Sequence, residues 1–376
     1  MGQDFAALAT EMAPRVLDEM AQLVAISSPS GDHPGAEGVV ALCERFLPAS
    51  AVTERPPCST ETCSPDLLAT IRGSGTHRIL MLGHLDTVIP HTQHRPVHRD
   101  GERIYGSGTA DMKAGVALAL AVLRTLAAQT ERFAEIALLL VCDEEWRTAP
   151  MRHVQRFHGY DACLCFEAGE RPESGTEGVI VRRKGAGMLR VRAHGRAAHS
   201  GVAPEKGRNA LLALAHAALE VAQVADPDGP DQLTVVPTVV HSGEASNVVP
   251  ASGELLVDTR SRDTAAFERV VAAVPEGYGG AELETRLERV WPALDSQAAT
   301  APVLARASEL VGRPIVGCHR GGASDASHFA AGIPLTIDGL GPLGGSAHTP
   351  DEFMYADSVP DRILVALGVV SAILPA

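Results

Sequence analysis

The sequence predicts an α/β protein carrying a second, inserted α+β domain. Three observations predict it. Apolar runs of strand length alternate with Ala/Leu-rich helical stretches over the first part of the chain. Near Gly178 that pattern gives way to strand, helix, strand, strand, helix, strand. The first pattern then resumes after Trp291-Pro292. A chain of 376 residues also exceeds what one core usually fills, so two domains are expected on length alone.

Each element has a local reason. Residues 1–20 set acids among alanines, without a cationic start or an apolar block, and read as an amphipathic helix rather than a secretory leader. Residues 78–83 (RILMLG) make a short apolar strand that runs into His84. Residues 111–129 are rich in Ala and Leu and lack Pro, which predicts a helix opened by an acid at its positive end. Residues 134–142 (AEIALLLVC) are almost continuously apolar, as in a strand buried on both faces, and 161–166 repeat the pattern. Such alternation builds a sheet with helices on both faces. In the insert, 187–194, 232–240, 253–258 and 281–290 read as strands, and 205–224 and 264–274 as helices. That is the order of a ferredoxin-like domain. After it, 301–310 and 361–374 are helical and 333–337 form a strand. The expected domains are thus 1–177 with 292–376, and the insert 178–291.

Hydrophobic residues make up 45% and charged residues 21%, the balance of a soluble globular protein. The net charge of −14 argues against nucleic acid or an anionic membrane as partner. Bound cations would offset such acidity wherever carboxylates cluster. No apolar run approaches the roughly 18 residues of a membrane span. The seven cysteines are scattered and form no CxxC pair. Cys142, Cys163 and Cys165 lie in apolar runs as core residues. Cys58 and Cys63 share a Pro/Ser/Thr-rich loop that would allow pairing, but the expected compartment is the reducing cytoplasm.

The chemistry-bearing residues sit in five short segments: Gly83-His84-Leu85-Asp86, Ala110-Asp111-Met112-Lys113, Asp143-Glu144-Glu145, Phe166-Glu167 and Ala347-His348-Thr349. Most follow an apolar run, which places them beyond the carboxyl ends of strands, where ligands of α/β sheets gather. Singly they are ordinary: Asp111 could merely cap a helix, and His348 could merely be a solvated loop residue. Glu144 and Glu145 are more informative. Adjacent acids after a buried strand repel each other unless a cation is near, and one can then bind metal while the other acts as general base. His84 and Asp86, two apart in extended chain, point to one side, so Asp86 can orient His84. Together the set supplies two imidazoles and several carboxylates, the donors of a two-metal hydrolytic centre.

With these segments in order, the chain resembles the co-catalytic zinc metallopeptidase family of glutamate carboxypeptidase, aminoacylase, acetylornithine deacetylase and succinyl-diaminopimelate desuccinylase. It is most similar to the carboxypeptidase-G-like branch. The likeness runs from about residue 80 to residue 352 through MLGHLDTV, YGSGTADMKAG, CDEEW, FEAGE, RRKGAG, GRAAHSG, SNVVP, VDTR, GGASD and GLGPLGGSAHTPDE. It implies a zinc-exopeptidase-type mixed sheet and makes the insert a dimerisation domain.

The resemblance also implies roles. Asp111 bridges two divalent ions. His84 and Glu167 complete one shell, and Glu145 and His348 the other. Glu144 is the general base and acid, Asp86 the buttress of His84, and the Asp111–Met112 peptide bond is cis. In the insert, His199 reaches the site of a second subunit and stabilises an oxyanion, Asn247 contacts substrate, and Arg260 pairs with a substrate carboxylate as a bidentate fork. Gly321, Gly322 and Ser324 form a substrate loop, with Ala326 where Gly is often found. Lys184 is a weaker candidate for the same carboxylate. All metal donors are N or O, which suits Zn2+ and admits Co2+ or Mn2+. The expected activity is hydrolysis of an N-acyl or peptidyl amino acid by a homodimer, with a glutamate-like residue released. The alternatives are a dedicated aminoacylase or deacetylase, another amidohydrolase on a small amide, and a silent binding protein that has kept every ligand.

Overall fold

The computed structural model describes residues 5–147 and 149–375. It divides into two compact units. One comprises residues 1–182, 295–320 and 324–376, and the other 183–294 with 321–323.

In the first unit, α1 (Phe5–Val24), α2 (His33–Phe46), β1 (Val52–Glu54), β2 (Leu67–Arg72), β3 (Arg78–His84), α3 (Lys113–Leu126), β4 (Glu135–Val141) and β5 (Ala162–Cys165) follow in order. The sheet runs β1-β2-β4-β3-β5 and ends on the short strand Thr336–Ile337. β4, β3, β5 and that last strand are mutually parallel, whereas β2 runs antiparallel to β4, and β1 antiparallel to β2. The sheet is therefore mixed. Alternation sorts its side chains to two faces. Ile79, Met81, Leu138, Leu140 and Leu164 face α1, α2, α3 and the closing helix Ser358–Ile373. Leu80, Leu82, Leu139, Val141, Cys163 and Cys165 face a thinner cover of Met151, Phe157, Tyr160 and Phe329. Both faces are dry, which is why β4 reads as an unbroken apolar run.

The expected helix at 111–129 begins two residues later. Met112 is its N-cap and makes no side-chain capping bond, so Asp111 does not open the helix and its carboxylate is turned elsewhere. α2 carried no motif in sequence, yet it has an evident start: Asp32 accepts a hydrogen bond from Gly35 N at 2.7 Å, and Pro34 occupies its first turn. Residues 1–4 of the expected N-terminal helix lie outside the described residues. All seven cysteines are free, Cys58 and Cys63 included.

The second unit contains β6 (Gly185–His194), α4 (Ala210–Ala222), β7 (Thr234–Ser242), β8 (Ser252–Ser261), α5 (Phe267–Ala272) and β9 (Ala281–Trp291). Its antiparallel order is β7-β8-β6-β9, with the short strand Gly277–Tyr278 beyond β9. This is the ferredoxin-like β-α-β-β-α-β arrangement. Both helices are shorter than expected. Pro204 and Gly207 hold a separate 3-10 turn before Asn209 caps α4, and a second 3-10 turn precedes α5. One sheet face packs Leu189, Val191, Leu255 and Val257 on α4 and α5. The other carries cross-strand charge pairs such as Arg190 with Glu254 and Glu288.

Candidate metal centre

The centre forms in the first unit, where strand ends and two loops converge. His84 is the last residue of β3 and is 1% exposed. Its Nδ1 faces the Asp86 carbonyl at 3.0 Å and the Asp86 carboxylate at 3.4 Å. The Asp86 carboxylate in turn accepts the backbone N–H of Glu144 and of Glu145, each at 3.1 Å, and the Ser30 hydroxyl at 2.5 Å. One buried acid thus fixes both the imidazole and the loop after β4. Glycine permits a further close approach: a Cβ on Gly115 would lie 1.8 Å from Phe166 O, so only glycine lets α3 pack against the chain entering Glu167.

The Asp111 carboxylate lies between the two histidines. Oδ1 is 2.9 Å from His84 Nε2, and Oδ2 is 3.1 Å from His348 Nε2. The Asp111–Met112 peptide bond is cis. Glu167 Oε1 stands 3.6 Å from His84 Nε2, and Glu145 Oε2 3.2 Å from His348 Nε2. The donors form two triads, His84/Asp111/Glu167 and Asp111/Glu145/His348, each with its ligand atoms within 4.8 Å of one another. They share Asp111. His84, Glu144 and Glu145 make a third such group, which puts Glu144 beside both triads. His348 is 55% exposed and sits at φ 65°, a left-handed conformation uncommon for non-glycine residues and concentrated at functional sites.

The charge balance points the same way. Burial works against a charged His84, yet hydrogen bonds to Asp111 and Asp86 hold its ring well above the ordinary imidazole range. Hydrogen bonds to Asp111 and Glu145 raise His348 to about 10. Burial disfavours the Asp111 anion, but His348 and His84 hold its carboxyl below the usual range. Burial pushes Glu144 well above the carboxylate range and raises Glu145 as well. The carboxylates thus draw protons onto the two imidazoles. Two divalent ions fit this donor set: hard and borderline donors, grouped in threes, with one carboxylate common to both.

Two residues that hold the site were given no role by the sequence. Glu352, 2% exposed, accepts backbone N–H bonds from Gly108 at 2.8 Å, Ala110 at 2.7 Å and Asp111 at 2.8 Å. It clamps the loop that presents Asp111. Burial raises its carboxyl to about 7. Arg147, wholly buried, links Asp143 of the Glu144 loop to Asp325 through a bidentate pair. A fourth cluster, Cys58/Asp66/Asp143, is also within ligand distance. Its carboxylates are already engaged by Cys142 N, His153, Thr60 N and Arg147, so it is complete as a hydrogen-bond network.

Ser324 is buried, and its hydroxyl donates to Asp338 at 2.6 Å. Gly321 and Gly322 are exposed, and Gly322 O accepts from Arg183 at 2.9 Å. In the second unit, His199 and Asn247 are exposed on adjacent loops, joined by the His199–Val248 bridge and by Ser200 N donating to Asn247 O. Arg260 is half-buried and paired with Asp258 at 2.9 Å. Lys184 donates to Gln232 O at 2.6 Å.

Comparison with known proteins agrees with the fold. The chain is 27% identical over 383 residues to carboxypeptidase G2 of Pseudomonas sp. (strain RS-16), covering 96% of this chain and 90% of that one. It is 29% identical over 374 residues to succinyl-diaminopimelate desuccinylase of Stenotrophomonas maltophilia (strain R551-3), covering 92% and 95%. Among solved structures, the M20 family metallo-carboxypeptidase Sso-CP2 from Sulfolobus solfataricus superposes with a TM-score of 0.74 at 16% identity, over 95% of this chain and 99% of that one. The profile of peptidase family M20/M25/M40 matches residues 80–372, and the chain belongs to that family.

Proposed function

We propose that this enzyme is a two-metal amide hydrolase that releases a carboxylate-bearing, glutamate-like amino acid from an N-acyl or peptidyl substrate. The observation that carries the reading is the Asp111 carboxylate, with one oxygen toward His84 and the other toward His348. His84, Asp111 and Glu167 would hold one ion, and Asp111, Glu145 and His348 the other. Zn2+ suits these donors best, and Co2+ or Mn2+ would also fit. Bound divalent ions supply Lewis acidity to a carbonyl and acidify a water. Glu144 takes the proton from the attacking water and returns it to the leaving amine nitrogen. Its place beside both triads supports this, because it puts the carboxylate next to the water that the ions would acidify. Asp86 keeps His84 and the Glu144 backbone in place.

Arg260, freed from Asp258, would pair with the carboxylate of the released amino acid. Asn247, Gly321 and Gly322 would complete that end of the substrate site, and Ser324 would anchor the loop through its bond to Asp338. His199 would serve the active site of a second copy as an oxyanion donor, an effect typically worth about 10²–10³ in rate. A homodimer is supported by the apolar surface of the second unit. Val236, Val239 and Val240 on edge strand β7, and Leu211, Leu212 and Leu219 on α4, are exposed. A cytoplasmic location is part of this reading; no helix among the described residues is long and apolar enough to cross a membrane.

The similarity to succinyl-diaminopimelate desuccinylases favours a second reading, the same chemistry on a small acyl group in a dedicated pathway. A panel of acetyl-, succinyl- and aroyl-amino acids separates the two. Hydrolysis should vanish with chelator and return with zinc. Glu144→Gln should keep the metal and lose about 10²–10⁴ in kcat. Activity indifferent to chelator, or near-normal turnover by Glu144→Gln, would refute the proposal.

A further inference from the structure

Trp146 follows Glu144 and Glu145 directly, yet it is 61% exposed. The chain has only two tryptophans and 4% aromatic residues, so an indole left in water beside the general base is not a default of composition. Its backbone has little freedom. Glu145 N is tied to Asp86, Trp146 N donates to Asp143 O at 3.3 Å, and the next side chain, Arg147, is locked between Asp143 and Asp325. The ring is seated as well. Gly31, at φ 82°, lies beneath it, and a Cβ there would come within 3.0 Å of Cζ3. Gly31 adjoins Ser30, which bonds Asp86. A bare glycine against one side of the ring leaves much of the indole open.

Resting on the two-metal amidase reading above, we infer that Trp146 is a specificity-determining residue that stacks on a planar aromatic or heteroaromatic acyl group of the substrate. The amine side of the scissile bond is served by the carboxylate-recognising residues, which lie on other segments. The Glu144 loop presents the exposed indole of Trp146 as a flat, polarisable, amphipathic surface directly after the general base. Planar π systems gain most from such a surface through offset stacking. A short acyl group such as acetyl covers little of it.

The test uses the zinc-loaded enzyme with N-benzoyl-glutamate and N-acetyl-glutamate. Trp146→Ala should lower the ratio of kcat/KM for benzoyl over acetyl substrate by about ten-fold, mainly through KM, and Trp146→Phe should restore most of it. An equal loss on both substrates, as a purely structural role would give, overturns the inference. A binding arm does not depend on turnover. In Glu144→Gln/Trp291→Phe, Trp146 is the sole tryptophan, and N-(4-nitrobenzoyl)glutamate should quench its fluorescence saturably. N-acetyl-glutamate should not. Absence of saturable quenching overturns the inference, and so does equal response to both ligands. A chain that cleaves both substrates with a ratio indifferent to Trp146→Ala defeats this inference alone. A zinc-loaded chain that cleaves no N-acyl amino acid defeats the function proposed above, and the quenching arm then decides the role of the indole.

Discussion

Replacing Glu352 tests how the site is assembled. Its two oxygens accept three backbone N–H bonds from residues 108–111, all between 2.7 and 2.8 Å, two of them buried and the third part-buried. A hydrogen bond to a charged acceptor is worth about 1.5–3 kcal/mol, and an orphaned buried donor costs about 1–3 kcal/mol. Three such bonds cap the loss for Glu352→Ala near 9 kcal/mol. Water entering the emptied space returns part of it, so a net loss of about 3–5 kcal/mol is expected. Glu352→Gln keeps a carbonyl oxygen for Ala110 and Asp111 but turns an amide N–H₂ toward Gly108 N, so it should fall between wild type and Glu352→Ala. Because the loop presents Asp111, metal retention should weaken too, by the roughly 10–100-fold typical of groups that orient a ligand. Calorimetric unfolding with and without chelator reads the first effect, and competition against a fluorescent zinc indicator reads the second. An unchanged melting temperature together with unchanged zinc affinity in Glu352→Ala would refute the clamp.

Two further outcomes are expected. His328 is lowered from 6.5 to about 4 by burial, so the unfolded chain binds its proton first as the pH falls. Stability is retained above pH 6.5 and lost progressively toward pH 4, by up to roughly 3 kcal/mol from this group. Urea unfolding of His328→Gln across that window should show a shallower slope, and an identical slope would contradict the assignment. Mixing His199→Ala with Glu144→Ala subunits should regenerate part of the activity if His199 serves the neighbouring copy. Verified heterodimers with no recovery would reject that role.

Most of the ligand candidates were legible because they follow an apolar run of strand length. His84 ends the apolar strand β3, Glu144 and Glu145 follow β4, and Glu167 follows β5. A buried parallel strand must be apolar along its length, so the first charged residue beyond it marks the sheet edge. Asp111 shows the limit of that reasoning. As a sequence it is an acid before a helix, yet Met112 takes the cap position and the Asp111 carboxylate faces two imidazoles. Nothing local distinguishes those outcomes. Glu352 and Arg147 were illegible for a different reason. Each is defined by partners far away in the chain, Gly108–Asp111 for one and Asp325 for the other, and no periodicity encodes such a pairing. Ser324 read as a loop residue facing substrate, while its hydroxyl is bound to Asp338. The insert was clearer, since the alternation in β6 and β9 sorts charged from apolar faces directly.

On the proposed function, Asp111 joins two cations held by His84, Glu167, Glu145 and His348. Anomalous diffraction at the zinc edge from crystals grown with zinc tests it most directly. Two peaks should flank the Asp111 carboxylate, one beside each histidine. A single peak elsewhere, or none within bonding distance of Asp111, would contradict it.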